Sequence, residues 1–305
     1  MKGVSPGGQA GLKRPPIPEG GAKPFLKWAG GKWSLASSIA ALLPHDLRDR
    51  TYREPFLGGG AVFFWLRNHQ AAAKFALSDQ LADLVSAYRA VRDHSRALTK
   101  LLDKLRVAHS GEHFYQVRER FNRGEGTALE RAAWLIYLNK TCFNGLYRTN
   151  RAGEFNVPLG RFVNPAILDQ PRLEAAARAL DGVDVSHASY EHLLEVAEPG
   201  DVIYMDPPYV PVSRTANFAS YSNGHFGADE QVRLAELFRT LDQRGCLLAL
   251  SNSDAAEVHE LYRGFDVVKL TAARAISAKT TTRGPTSEVL VRNVARYPRP
   301  RRRRA

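Results

Sequence analysis

Apolar positions change rhythm several times along this chain. Short runs of strand character alternate with longer stretches of helical spacing. The strand-like runs are TYREPFL (51–57), KFALS (74–78), VDVSHA (183–188), DVIYM (201–205), CLLALS (246–251), FDVVKL (265–270) and SEVLVRN (287–293). Helical patterns fall at 171–180, 227–242 and 254–262, and a glycine turn leads into a helix at GGGAVFFWLRNH (58–69). This alternation predicts an α/β fold with a mostly parallel sheet and crossover helices. Residues 81–138 are mostly helical in pattern, and 139–164 are irregular and polar. Lying between the second and third strands, they read as an inserted subdomain placed to hold a second substrate.

Composition narrows the class. The chain has 305 residues, 44% hydrophobic and 24% charged, which suits a globular protein and excludes a disordered, collagen-like or coiled-coil one. The formal charge is +12, which points to an acidic partner, nucleic acid first. Much of that charge sits at the ends. Residues 1–23 carry a net +3 and the last ten, RYPRPRRRRA, a net +6, leaving +3 for residues 24–295. Both ends read as solvated tails that add solubility or sequence-blind phosphate affinity.

The two cysteines, Cys142 and Cys246, lack metal-ligand spacing, which fits a reducing cytoplasm and no metal. The N-terminal segment has no apolar stretch of a secretory signal, and no run suits a membrane span. No obligate protein partner is expected.

Three local motifs carry chemistry. Glu54-Pro55-Phe56-Leu57-Gly58-Gly59-Gly60 is followed by Asp79 at the end of the next strand, an acid suited to ribose hydroxyls. As a dinucleotide fingerprint it fails, because Phe63 stands at the third glycine position; this speaks against a nicotinamide-dependent oxidoreductase. Lys27-Trp28-Ala29-Gly30-Gly31-Lys32 is not a P-loop, since Leu26 and Trp33 replace the required Gly and Ser/Thr. It reads as a pocket wall with a cation for a carboxylate, or as a basic loop with a core Trp. Asp206-Pro207-Pro208-Tyr209 follows an apolar strand directly. Its prolines stiffen a turn that presents a carboxylate, a carbonyl and an aromatic face. That trio suits an exocyclic amine on a stacked base.

The ordered segments PFLKWAGGK (24–32), EPFLGGG (54–60), LSDQ (77–80), LNKTCFNGLYRTNRAGEFNVPLGRF (138–162), DVIYMDPPY (201–209), LSNSD (250–254) and RGPTSEVLVRN (283–293) are similar to those of one family. The chain resembles the Dam-type DNA adenine-N6 methyltransferases, the D12 class, group alpha. The resemblance implies a Rossmann-like, S-adenosylmethionine-dependent fold whose mostly parallel sheet has an antiparallel last strand. It also implies a catalytic domain at 24–80 and 165–293, a target-recognition insertion at 81–164, and tails at 1–23 and 294–305.

It further implies site residues. Trp28 and Lys32 would line the methionine end of the cofactor, Phe56 and Gly58 flank it, and Asp79 bind its ribose, with Ser189 and Tyr190 packing on its adenine. Asp206 and the Pro207 carbonyl would accept hydrogen bonds from N6 of a flipped-out adenine, and Tyr209 would stack on it. In the insertion, Arg148 would read a guanine edge, Leu146 would wedge between base pairs, and Asn144 would contact a base or fill the gap. Lys140, Arg151 and Arg161 would meet phosphates. The expected partner is double-stranded DNA and the expected site GATC, in a cytoplasmic enzyme acting in restriction-modification or alone. A cytosine-N4 methyltransferase is the nearest chemical rival; a non-catalytic DNA-binding protein would have lost Asp206 or the glycine turn.

Overall fold

A computed structural model describes residues 16–44, 46–211, 226–270 and 288–293. Most of both tails and the first five residues of the RGPTSEVLVRN segment lie outside the described residues.

Seven strands form one sheet: β1 (Thr51–Glu54), β2 (Lys74–Asp79), β3 (Asp184–His187), β4 (Val202–Met205), β5 (Leu247–Ser253), β6 (Asp266–Leu270) and β7 (Glu288–Arg292). Their order is β3-β2-β1-β4-β5-β7-β6. Neighbours from β3 to β5 pair in parallel, while β7 runs antiparallel to both β5 and β6. The expected α/β class and antiparallel last strand are both observed. β4 and β5 are buried at every position, which explains their continuous apolar runs. β1 stops at Glu54, three residues short of the predicted strand, because Pro55 has no N–H for a ladder.

The helices among the described residues are α1 (Ala36–Ala40), α2 (Ala61–Asn68), α3 (Ala82–Val107), α4 (Gly111–Asn122), α5 (Ala128–Thr141), α6 (Gln170–Leu180), α7 (Leu193–Val196), α8 (Ala228–Arg244) and α9 (Ala256–Leu261). Local chemistry sets several of their ends. Thr127 and Glu130 form a capping box at the start of α5, Ser110 caps α4, and Asp169 caps α6 with Pro171 in its first turn. The stretch predicted helical, 81–138, is occupied by α3, α4 and α5. α3 carries a break at His94, packs on α5 in the insertion, and packs on α6 and β3 beside the sheet. One hydrophobic cluster therefore runs from the sheet face (Leu77, Val185, Tyr204) into the insertion (Phe114, Leu135, Phe155). The segment read as irregular begins in helix, since α5 continues to Thr141. It then folds back through bridges pairing Cys142 with Leu159 and Thr149 with Phe155.

Strand order reverses between β1 and β4. In open sheets, ligands bind outside the carboxyl ends of strands at such a switch point. Glu54 ends β1, and Asp206 follows β4 directly.

Candidate active site

A cleft of about 660 Å³ opens at that switch point, a volume typical of sites that enclose a cofactor-sized molecule. Trp28, Lys32, Phe56, Gly58 and Asp79 line it together with Asp206, Pro207 and Tyr209. Residues from four separate sequence motifs are thus brought to one cleft. Ser189 and Tyr190 are not among the lining residues. Ser189 caps a short turn by accepting from the Glu191 N–H, and Tyr190 is buried with its hydroxyl donating to Glu230 at 2.7 Å. The Tyr190 ring instead backs Phe56, stacked at 5.4 Å.

The glycine turn holds its shape by close approach. Gly58 has φ +46°, and a Cβ there would come within 2.8 Å of the Trp28 ring. Its N–H donates to Asp79 Oδ2 at 3.0 Å, while Asp79 Oδ1 accepts from the Leu81 N–H at 3.0 Å. Burial raises the Asp79 carboxyl from its ordinary value, opposed by these backbone donors. The acid that ends β2 is fixed by its own main chain, with lone pairs remaining for a ligand.

At the other wall, Lys32 is almost fully buried and its ammonium lies 3.1 Å from Asp206 Oδ1. The same ammonium donates to the Gly30 carbonyl and sits 4.6 Å above the Tyr209 ring. Burial pushes the Asp206 carboxyl up to about 6; Lys32 pulls it down, and nearby Glu288 pushes it further up. Tyr209 donates its hydroxyl to Glu288 Oε2 at 2.9 Å, and burial keeps it a phenol by raising it far above its usual range.

Among the lining residues with no role from sequence are Glu54, Glu288 and Phe226. Glu54 is 3% exposed, accepts from the Tyr52 hydroxyl at 2.7 Å, and is pushed up to about 8 by burial. Glu288 reaches the cleft from β7, and Phe226 meets Phe56 edge-on at 5.8 Å. Glu54 and Glu288 lie inside quoted motifs, yet only the fold shows which face they take.

On the insertion, Asn144, Arg148, Arg151 and Arg161 are exposed. Asn144 adopts φ +55°, and Arg148 donates from Nε to Asn156 Oδ1 at 2.8 Å. Leu146 is half-buried against the core, whereas Phe143 beside it is 48% exposed. Lys140 is partly buried, and burial with Arg172 nearby lowers its ammonium to about 8.

The model of the D12 class N6 adenine-specific DNA methyltransferases matches residues 28–276. The chain belongs to that family. As an adenine-specific DNA methyltransferase it has many curated relatives of similar length. It is 40% identical over 270 residues to the type II methyltransferase M.MjaIII of Methanocaldococcus jannaschii, covering 84% of this chain and 93% of that protein. It is 37% identical over 276 residues to M1.LlaDCHI of Lactococcus lactis subsp. cremoris, covering 89% and 95%. To the DNA adenine methylase of Escherichia coli K12 it is 34% identical over 268 residues, covering 87% and 93%. Among solved structures, the rRNA methyltransferase AviRa of Streptomyces viridochromogenes covers 92% of this chain and 94% of its own at 16% identity, with a TM-score of 0.38. At that score the likeness bears on no residue. No helix among the described residues is long and apolar enough to cross a membrane, and no group of three metal-ligating side chains occurs among them.

Proposed function

We propose that this methyltransferase transfers a methyl group from S-adenosylmethionine to N6 of an adenine flipped out of double-stranded DNA, within GATC. The observation that carries the reading is the Asp206 carboxylate, held at the open end of β4 beside a single cleft wall built from the glycine turn, Asp79 and Trp28.

The donor set suits that cofactor. Asp79, Asp206 and Glu288 line the cleft against one lining cation, Lys32, while Glu54 is held largely protonated near neutral pH, so the charge favours a cationic ligand. When bound, S-adenosylmethionine supplies an electrophilic methyl on a sulfonium. Asp79 offers the remaining lone pairs of its carboxylate to ribose hydroxyls. Phe56 and Phe226 supply apolar ring faces for the adenine moiety, a part that sequence reading gave to Ser189 and Tyr190. Lys32 donates to the Gly30 carbonyl and ion-pairs with Asp206, and its ammonium has N–H donors left for a carboxylate.

On the DNA side, Asp206 and the Pro207 carbonyl accept the two N6–H groups of the target base. That draws the N6 lone pair out of the ring and offsets the positive charge that grows during attack. Transfer would form an N–C bond as the sulfonium's S–C bond breaks and leaves a neutral thioether, and N6 would then shed a proton. Asp206 stands nearest to take it and pass it to water. Tyr209, held by Glu288, offers its ring to the base on the face away from Lys32. Arg148 reads guanine, and Arg151, Arg161 and Lys140 meet phosphates. On the recognition loop, exposed Phe143 is better placed than half-buried Leu146 to enter the base stack.

Incubation with methyl-labelled S-adenosylmethionine and a GATC duplex, followed by nucleoside analysis, tests the whole reading. Label on N6-methyladenine is expected. Its absence from GATC duplexes, or its appearance on cytosine N4, overturns the proposal.

A further inference from the structure

The indole of Trp28 is held between two parts of the molecule that sequence assigns to different tasks. On one side lies the glycine turn, with the Trp28 ring close enough to Gly58 to exclude a side chain there and its Cβ tight against Gly59. On the other lies Tyr147 of the recognition loop, stacked on Trp28 with ring centroids 5.6 Å apart and planes 20° from parallel. Tyr147 follows Leu146 and precedes Arg148, the side chain proposed to read guanine.

A second set of contacts joins the same two segments. Asn139, near the end of α5 and 2% exposed, accepts from the Lys27 N–H at 2.9 Å. Its amide donates to the Lys27 carbonyl at 2.7 Å and to the Gly145 carbonyl at 3.0 Å. One buried side chain thus bonds to both the residue before Trp28 and the loop beneath it. Gly145, at φ +64°, lets the Lys27 stem lie against its Cα, a place no other residue could take. Tyr147 in turn is anchored in the insertion, with its ring 5.7 Å from that of Phe155.

We propose that the target-recognition loop backs a wall of the methyl-donor pocket, and that Tyr147 is a positioning residue acting on the donor through Trp28. The proposal rests on the reading of the cleft as the S-adenosylmethionine site. Trp28 lines the cleft and is stacked on Tyr147, so the loop fixes the orientation of a ring that the donor meets. Donor affinity then depends on a residue that touches neither donor nor cleft. Because coupling between two ligand sites is reciprocal, a loop rearranged by DNA changes donor affinity, and bound donor changes affinity for DNA by the same factor.

The test is calorimetric titration of S-adenosylmethionine into the DNA-free protein, comparing wild type with Tyr147→Phe, Tyr147→Leu and Tyr147→Ala. An aromatic stack is worth about 0.5–1.5 kcal/mol beyond its burial, so its loss should weaken donor binding roughly two- to tenfold. Tyr147→Leu, which keeps apolar bulk, carries the test should Tyr147→Ala fail to fold; thermal unfolding of each variant checks this. Tyr147→Phe keeps the ring and should bind within about twofold of wild type, a rescue that simple packing loss does not produce. In turnover, KM for the donor should rise in Tyr147→Leu with kcat little changed. Unchanged donor affinity in a folded Tyr147→Leu overturns the proposal while leaving the donor assignment standing. A wild-type protein that binds no S-adenosylmethionine overturns the assignment on which both rest.

Discussion

The Lys32 ammonium stands 3.1 Å from the Asp206 carboxylate across 174 residues of sequence, joining a loop ahead of β1 to the turn after β4. It sets the charge state of the group proposed to hold the target amine. Burial alone would favour the neutral acid; Lys32 restrains that rise and leaves Asp206 at about 6. As an acceptor for N6–H, Asp206 must be ionised. Turnover should therefore fall as pH drops through about 6 and level off above it. Replacing Lys32 by Met removes the restraint, so the break in the kcat/KM profile should move to higher pH. A break that stays in place would separate Lys32 from the titration.

Asp206→Asn keeps the shape of the side chain and replaces one acceptor oxygen by an N–H donor. Loss of one preorganised partner to developing charge costs about 10²–10³ in rate. Single-turnover methylation should fall by that order, while DNA affinity by gel shift stays near wild type. Near-normal turnover would remove Asp206 from the reaction.

Glu54 makes a stability prediction of unusual sign. Its folded-state value is raised to about 8 from an ordinary 4.5. Between those values the unfolded chain has lost a proton that the folded chain keeps. The unfolded state binds fewer protons, so stability falls as pH rises across this window, by about 1.4 kcal/mol per pH unit at most. Glu54→Gln cannot ionise and should flatten this decline, with its largest relative gain near pH 8. Denaturant unfolding of both proteins at pH 5 and pH 8 measures the difference. An equal pH dependence would show that Glu54 ionises freely.

Arg148 is exposed, with its Nε committed to Asn156 and the terminal amino groups facing outward. A bidentate Arg–guanine contact discriminates by about 1–3 kcal/mol. Arg148→Ala should lose that margin against duplexes altered at the guanine of GATC, with smaller changes at other positions. Competition between GATC and single-base variants gives the ratio. An unaltered ratio would assign guanine recognition elsewhere.

Much of this architecture was legible before any coordinates. β4 and the first half of β5 announce themselves because strand segments buried on both faces are mostly apolar. The DPPY turn and the glycine turn are visible because their backbones demand particular residues. The placement of β7 between β5 and β6 was not legible, since strand pairing is a long-range choice that local pattern does not encode. α1 was missed altogether: five residues with no side-chain cap leave too little signal. Tyr190 looked like a cofactor contact by position in the chain, but its ring turns behind Phe56. Glu54 was in plain view within EPF, yet an acid's protonation depends on what buries it. The Trp28–Tyr147 stack joins segments about 120 residues apart that have no common motif.

α3 has one further consequence. It starts at the cofactor side of the sheet, packs against α6 and β3, and ends inside the insertion against α5. The helical block therefore has no free edge along which evolution, or an engineer, could cut and exchange it as a cassette. What can be exchanged is the loop closed by the Cys142–Leu159 bridge, a short stretch mounted on an unchanging platform. If that loop reads the target as proposed, new target sites should arise by rewriting it, within the limits set by Asn139 beneath it and by Gly145 and Tyr147 within it.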